Sequence, residues 1–389
     1  MIKGKKIAMI GAYPPTHSGG VATHVYEFSK ELSKYNTIKI ITTGREEKCW
    51  NDSQVQVYQD QLWYPHRYTT LQNMFQTTKR ASLLRRDVDL YHAHSPFFSG
   101  IGFLDKQKPR VLTVHGYASL ETVLRGRIKP DSIQFKFMRW VEKKAVERAD
   151  AVITVGSKLK EWIIDDLNAD AKKVFSIPNG VDVKSFKFAV EGRKEILKKH
   201  GLNNSPVILF TKHFSPRYGA QYLIPAMKKI IKEYPSVRLI MTNDDTWKEK
   251  IINLAKKYGV INNILLPGCL PYEDLPKYYS ACDVFVHPSI NDQETFGISL
   301  IEAMACSKPV IATAVAGPKE IIEGGDNVGL LIPPKNSEAI ANAVIDLLNN
   351  PSKRNQICEN ARRYVESKYT WKKVAEETSK VYQYVLKEI

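Results

Sequence analysis

Only five cysteines occur in 389 residues, and Cys49, Cys269, Cys282, Cys306 and Cys358 are scattered, with no C-x-x-C spacing. That excludes a disulfide frame or a cysteine-built zinc site and suits a reducing compartment. No apolar run reaches the roughly 20 residues needed to cross a bilayer. The opening Met1-Ile2-Lys3-Gly4-Lys5-Lys6-Ile7-Ala8-Met9-Ile10 enters a strand pattern at once, without a secretory apolar region. The expected location is cytoplasmic. A G-x-G-x-x-G loop is missing too: Gly11 stands alone before Ala12 and Tyr13, which argues against a nicotinamide dehydrogenase. Neither tandem repeats nor low-complexity segments occur. Zinc-finger spacing, RNA-binding aromatic signatures and basic tails are also missing, so nucleic acid is not the expected partner of the +16 net charge.

What is present points to a two-domain globular protein. The length exceeds one typical domain, and 43% hydrophobic with 25% charged residues is ordinary for a soluble chain. Basic excess is denser in the first half, at Lys79-Arg80, Arg85-Arg86, Arg125, Arg127, Lys129 and along 136–148. It suits solvated surface or an anionic membrane. Strand and helix patterns alternate throughout, which predicts parallel sheets covered by helices on both faces. Strands are expected at 5–12, 38–42, 55–59, 89–94, 110–115, 151–155 and 174–177, with helices at 21–34, 68–86, 132–149 and 157–168. Pro178-Asn179-Gly180-Val181-Asp182 breaks the pattern with turn residues. A second alternation runs from 207 through strands near 237–242, 263–267, 284–288, 309–313 and 328–332. The expectation is an α/β chain of two doubly wound, Rossmann-like parallel-sheet domains, 1–184 and 185–370, with ligands in a cleft beyond the strand ends.

The most informative stretch is Glu294-Thr295-Phe296-Gly297-Ile298-Ser299-Leu300-Ile301-Glu302. A strand-like run precedes it and an apolar helical run over 299–306 carries its second glutamate. Glu294 stands just before the helix start, and Glu302 is expected about two turns inside. Backbone N–H groups of Phe296, Gly297 and Ile298 would offer an anion seat at the helix N-terminus. Gly297 leaves room for close approach. Two carboxylates flanking an anion seat suit ribose, diphosphate and hexose in one ligand. Gly19-Gly20 after the first strand likewise permits backbone approach to phosphate or sugar. His92 and His94 share one side of a strand, a conceivable metal pair, but no third ligand stands at sensible spacing and no metal set is assigned. Asp87-Val88-Asp89 opens a strand rather than closing one, and chance explains it better than a metal motif. His115 closes the strand Val111-Leu112-Thr113-Val114 before Gly116. Basic and aromatic residues interleave along Ile133-Gln134-Phe135-Lys136-Phe137-Met138-Arg139-Trp140-Val141, a composition of membrane-surface helices as well as of buried ones.

The E-x7-E stretch resembles the signature of the retaining, GT-B-fold glycosyltransferases of family 4 (glycosyl transferases group 1). The resemblance spans about residues 5–370. It includes the glycine loop Gly19-Gly20, the D-x-x-H-x-H strand ending at His94, His115, Pro178-Asn179-Gly180-Val181-Asp182 and Leu266-Pro267-Gly268-Cys269-Leu270. It implies a nucleotide-sugar donor (UDP- or GDP-sugar), a glycan, lipid-linked or small-molecule acceptor, retention of anomeric configuration, and no cofactor. It also implies that the last helix, near 371–386, crosses back to the first domain. By the same resemblance His115 contacts the donor hexose, Glu294 holds hexose hydroxyls, Glu302 ribose hydroxyls, and Leu270 lines the base pocket. Matching the family's cation pair backwards from Gly219 gives His213 and Tyr218; Lys212 and Arg217, which need a one-residue longer loop, are preferred as the cations for the departing diphosphate, since developing negative charge demands permanent cations. A metal-independent hexosyltransferase is therefore expected. The loop Thr211-Lys212-His213-Phe214-Ser215-Pro216-Arg217-Tyr218-Gly219 departs from the family pattern, with Tyr218 where Lys is usual. Asn243-Asp244-Asp245 replaces a glycine-rich turn. Two alternatives remain: a GT-B sugar-nucleotide epimerase, against which the Glu294/Glu302 spacing speaks, and a non-catalytic nucleotide-sugar-binding subunit, which those departures keep in view.

Overall fold

A computed structural model describes residues 1–14, 19–62, 69–96, 100–101, 107–124, 126–202, 205–244 and 246–387. Arg125, Asp245 and residues 15–18 of the glycine loop lie outside the described residues. The chain divides into two compact units, Met1–Gly180 with Trp371–Ile389, and Val181–Thr370.

The first unit is built on an eight-stranded sheet among the described residues. Its strands are β1 (Lys6–Ile10), β2 (Thr37–Gly44), β3 (Lys48–Asp52), β4 (Val55–Gln61), β5 (Leu90–Ala93), β6 (Arg110–Val114), β7 (Ala151–Thr154) and β8 (Val174–Ser176), in the order β3-β4-β2-β1-β5-β6-β7-β8. All pairs are parallel except β3–β4. β5, β6 and β7 are buried at every position, as a parallel strand covered on both faces must be. Helices Gly20–Ser33 and Trp371–Leu386 pack together over this sheet, with Phe28, Leu32, Trp371, Val374 and Tyr382 in one core with β1 and β2. The strand β3 departs from the all-parallel expectation. Its mixed sequence gives no period, but the two-residue turn Ser53-Gln54, with Ser53 at φ 56°, folds it back onto β4 as a hairpin. Tyr13 Oη donates to Asp52 Oδ2 at 3.0 Å and pins its end.

The second unit carries β9 (Val207–Phe210), β10 (Arg238–Met241), β11 (Ile264–Leu265), β12 (Val284–His287), β13 (Val310–Thr313) and β14 (Leu330–Ile332), in the order β11-β10-β9-β12-β13-β14, all parallel. β9, β12 and β13 are wholly buried. The order reverses between the paired strands β9 and β12, so the connections leaving their carboxyl ends run to opposite sides, the place where open α/β sheets bind ligands. No described helix is long and apolar enough to cross a membrane.

Candidate functional site

Adjacent strand ends bring the second unit's polar residues together. Lys212 follows the end of β9 by two residues, and His287 ends β12. The loop after β9 is locked to the end of β12 by Gly219, at φ +79°, where an added Cβ would sit 1.7 Å from the carbonyl oxygen of Pro288. Ile290 N donates to Arg217 O at 2.9 Å and closes the same junction. Lys212 Nζ then donates to Glu294 Oε1 at 2.8 Å, with 14% and 8% of the two side chains exposed. Ser289 Oγ donates to the other oxygen, Oε2, at 3.3 Å. Lys212 Nζ lies 5.1 Å and Arg217 Cζ 4.6 Å from the centre of the Tyr218 ring, so the phenol supports both cations on its π face.

Electrostatics fixes the charges here. Burial opposes ionisation of Glu294, yet the charge of Lys212, foremost among its neighbours, holds its pKa down at about 2. His287 Nε2 lies 3.7 Å from Glu294 Oε1, but complete burial, aided by Lys212, lowers its pKa to about 3. At neutral pH the cluster is therefore Lys212⁺, Glu294⁻ and a neutral His287. Gly297, at φ +108°, caps the helix Ile298–Ala305 without any side-chain hydrogen bond to the first turn. Its missing side chain leaves His287 Cε1 only 3.3 Å from where a Cβ would stand.

Glu302 belongs to a second network. Tyr279 Oη donates to Oε2 at 2.8 Å and Tyr272 Oη to Oε1 at 3.1 Å. Tyr279 Oη is also 3.1 Å from Thr211 Oγ1, next to Lys212. Burial raises the Glu302 pKa, while the two phenol hydrogen bonds and the Lys212 charge pull it back. Each carboxylate oxygen has two acceptor sites, so the phenols orient Glu302 without using it up.

In the first unit, buried and half-buried histidines gather at the ends of β5 and β6. His24 on the helix Gly20–Ser33, His94 after β5 and His115 after β6 present ligand nitrogens that all lie within 4.8 Å of one another. Gly11 makes this possible, because a Cβ there would stand 3.2 Å from His94 Cβ. His24 Nδ1 is 2.7 Å from Asn179 Oδ1. The His92 ring lies tilted against that of His94, with centroids 4.3 Å apart, but its two nitrogens are engaged by Tyr382 Oη at 2.6 Å and Thr113 Oγ1 at 2.7 Å. Burial lowers the pKa of His24 to about 4 and that of His92 to about 3, and pushes His94 and His115 well down too. All four imidazoles are neutral at pH 7.

The model described as "Glycosyl transferases group 1" matches residues 192–364, and that of "Glycosyltransferase Family 4" matches residues 18–185. A glycosyltransferase of Methanocaldococcus jannaschii, MJ1607, is 30% identical over 97% of this chain and 98% of its own. The chain belongs to the family 4, group 1 glycosyltransferases. Among solved structures, sucrose-phosphate synthase from Thermosynechococcus elongatus is similar over 99% of this chain and 100% of its own, with TM-score 0.81 and 22% identity. Anabaena HepE in complex with UDP-glucose covers 98% and 100%, with TM-score 0.77 and 20% identity. The two parallel-sheet units of this glycosyltransferase are those of the GT-B fold.

The geometry of the glycosyltransferase sorts the residues marked in its sequence. Lys212, Arg217 and Glu294 come together, and Gly297 and Ile298 begin the neighbouring helix. Glu302 lies one turn inside that helix rather than two, because the helix starts at Ile298. The Phe296 side chain is 6% exposed and packs on Tyr369 with ring centres 5.8 Å apart, so only its backbone can face a ligand. Leu270 is half-buried, two residues before Tyr272. Gly19, at φ +96°, caps the helix of His24, and both Gly19 and Gly20 are exposed. Asp89 Oδ2 accepts from Lys6 N at 2.8 Å and Asp87 pairs with Lys39, which gives Asp87-Val88-Asp89 a structural role. His287, Ser289, Tyr272 and Tyr279 were not singled out in the sequence. His287 carried a signal, a polar residue closing an apolar strand, whereas the two tyrosines lie in an ordinary helical stretch.

Proposed function

We propose that this glycosyltransferase moves a hexose from a UDP- or GDP-sugar to a glycan, lipid-linked or small-molecule acceptor, with retention at the anomeric carbon and no metal in the transfer step. The observation that carries the reading is the buried Lys212–Glu294 ion pair, with Arg217 against the same Tyr218 ring, beside the helix start at Gly297, which has no side-chain cap hydrogen bond. Lys212, Arg217 and the N–H groups of Gly297 and Ile298 take up charge on the leaving diphosphate. They are preorganised for charge that develops in the transition state, where such groups act most strongly. Glu294 holds hexose hydroxyls, and Glu302, oriented by Tyr272 and Tyr279, receives ribose hydroxyls. His115 and Gly19-Gly20 are assigned to the sugar on the family resemblance alone. UDP-glucose bound by the Anabaena neighbour supports a nucleotide-diphosphate sugar as donor.

The surface of the first unit supports a lipid-linked acceptor. On the helix Ile133–Arg148, Val141, Ala145 and Val146 are buried, while Ile133 is 87%, Phe137 40% and Trp140 46% exposed. Those three share one face at i, i+4 and i+7; Lys136 lies on the same helix, and Arg127 and Lys129 precede it in the sequence. Such a face suits an anionic membrane surface.

Turnover of a panel of UDP- and GDP-sugars, with and without EDTA, tests the reading. Donor cleavage with retained anomer that EDTA leaves unchanged is expected. Turnover that requires an added divalent ion overturns it. Formation of an epimer without acceptor favours the epimerase, and no turnover with any donor favours a binding subunit.

A further inference from the structure

Buried polar atoms without partners mark a place in the first unit that the transfer reaction leaves unexplained. His94 is fully buried, and among the described residues neither of its ring nitrogens has a hydrogen-bond partner. One nitrogen of a neutral imidazole is an acceptor and the other a donor, so both are unsatisfied here. Beside it stand His24 and His115, with the three ligand nitrogens within 4.8 Å of one another. Asn179 Oδ1 accepts from His24 Nδ1, which fixes the tautomer and leaves the lone pair on Nε2. A carbonyl oxygen holding the far nitrogen of a histidine is the outer-shell arrangement of metal-bound imidazoles. His92 is not available, since Tyr382 and Thr113 occupy both its nitrogens.

We propose that His24, His94 and His115 form a binding site for a divalent transition-metal ion of the zinc class. Three neutral nitrogen donors with no carboxylate among them select zinc, cobalt, nickel or copper over magnesium, calcium or manganese. Three imidazoles on zinc bind at about 2.0–2.1 Å, which puts the nitrogens about 3.3 Å apart, so the rings close in on the ion by side-chain rotation. His115 is half-buried, and a three-histidine site leaves a fourth position open to a small ligand. The sequence hides this set because its members come from a helix and two different strand ends. On the reading of His115 as a hexose contact, a bound ion takes that histidine from the sugar, so zinc slows turnover while EDTA does not.

The test titrates Zn²⁺ and Co²⁺ into the untagged full-length chain against a chromophoric chelator, without any donor sugar. One ion per chain is expected. The Co²⁺ complex should show visible d–d bands and no near-ultraviolet thiolate charge transfer, which separates the site from the exposed thiols of Cys49 and Cys269. His94→Ala and His24→Gln should each weaken binding at least tenfold, and circular dichroism checks their fold. If His94→Ala does not fold, His24→Gln decides. Stoichiometry and affinity unchanged within twofold in a folded variant, no binding by the wild type, or a thiolate band in the cobalt spectrum overturns the site. Because no donor is present, that failure leaves the transferase reading untouched.

Discussion

Lys212 Nζ and Glu294 Oε1 meet at 2.8 Å with neither side chain more than 14% exposed, so each charge is the other's replacement for water. Losing one partner strands the other, which in buried pairs costs about 3–5 kcal/mol. Lys212→Ala should therefore lower the melting temperature markedly and lower donor turnover. Glu294→Gln keeps the shape but removes the negative charge, and should reduce kcat by about 10²–10³-fold. Thermal unfolding and steady-state turnover, measured together, check both. A Lys212→Ala protein with wild-type melting and turnover contradicts the assignment.

Tyr279 Oη bridges Thr211 and Glu302. Tyr279→Phe should cost about 1–3 kcal/mol of stability by leaving polar atoms unpaired. It should also weaken nucleotide binding more than it lowers kcat. Calorimetric titration with UDP and GDP reads the first effect, and saturation kinetics the second.

Two glycines at positive φ give contrasting expectations. At Gly219 a Cβ would collide with the Pro288 carbonyl at 1.7 Å, whereas at Gly4, φ +69°, nothing lies within 4 Å. Gly4→Ala should cost only the left-handed backbone strain, about 1–2 kcal/mol. Gly219→Ala should pull the Lys212–Tyr218 loop off the end of β12 and abolish turnover. Equal loss of stability in the two variants refutes the lock.

The pH dependence has a definite sign. His287, His24 and His92 are buried neutral, with pKa values lowered to about 3, 4 and 3 from 6.5, and Glu294 is lowered to about 2 from 4.5. Groups whose pKa falls on folding stabilise the fold above their unfolded pKa, and that stabilisation drains away as pH drops toward the folded value. Stability should decline from about pH 6.5 downward, by about 1.4 kcal/mol per pH unit for each proton that only the unfolded chain takes up. The carboxylate adds to the decline below about pH 4.5. Urea unfolding between pH 8 and 4 measures it, and a flat profile contradicts the burial argument.

The exposed face of the helix Ile133–Arg148 predicts vesicle binding. The chain should sediment with vesicles rich in anionic lipid and not with neutral ones. Trp140→Glu should reduce that binding while soluble-acceptor turnover stays the same.

Much of this was legible in the chain. Strand–helix alternation located nearly every strand, because parallel strands buried on both faces read as short apolar runs such as Val207-Ile208-Leu209-Phe210. It missed β3, where Lys48 to Asp52 form a strand only through pairing with β4, and the short helix Ala118–Leu124. Lys212 and Glu294 could be marked as charge-bearing, but their pairing could not, since 82 residues separate them. The tyrosines on Glu302 and the set His24, His94 and His115 were illegible for the same reason: proximity was made by the packing of helices and strand ends, not by spacing.

The helix Trp371–Leu386 completes the core that begins at β1, and its Tyr382 holds His92 from the far end of the sequence. On the ribosome, the strands of residues 1–180 must therefore wait for a helix made only after the whole of Val181–Thr370. The later-made lobe, contiguous in the chain, can reach its final form earlier, inverting the usual N-to-C order of domain folding.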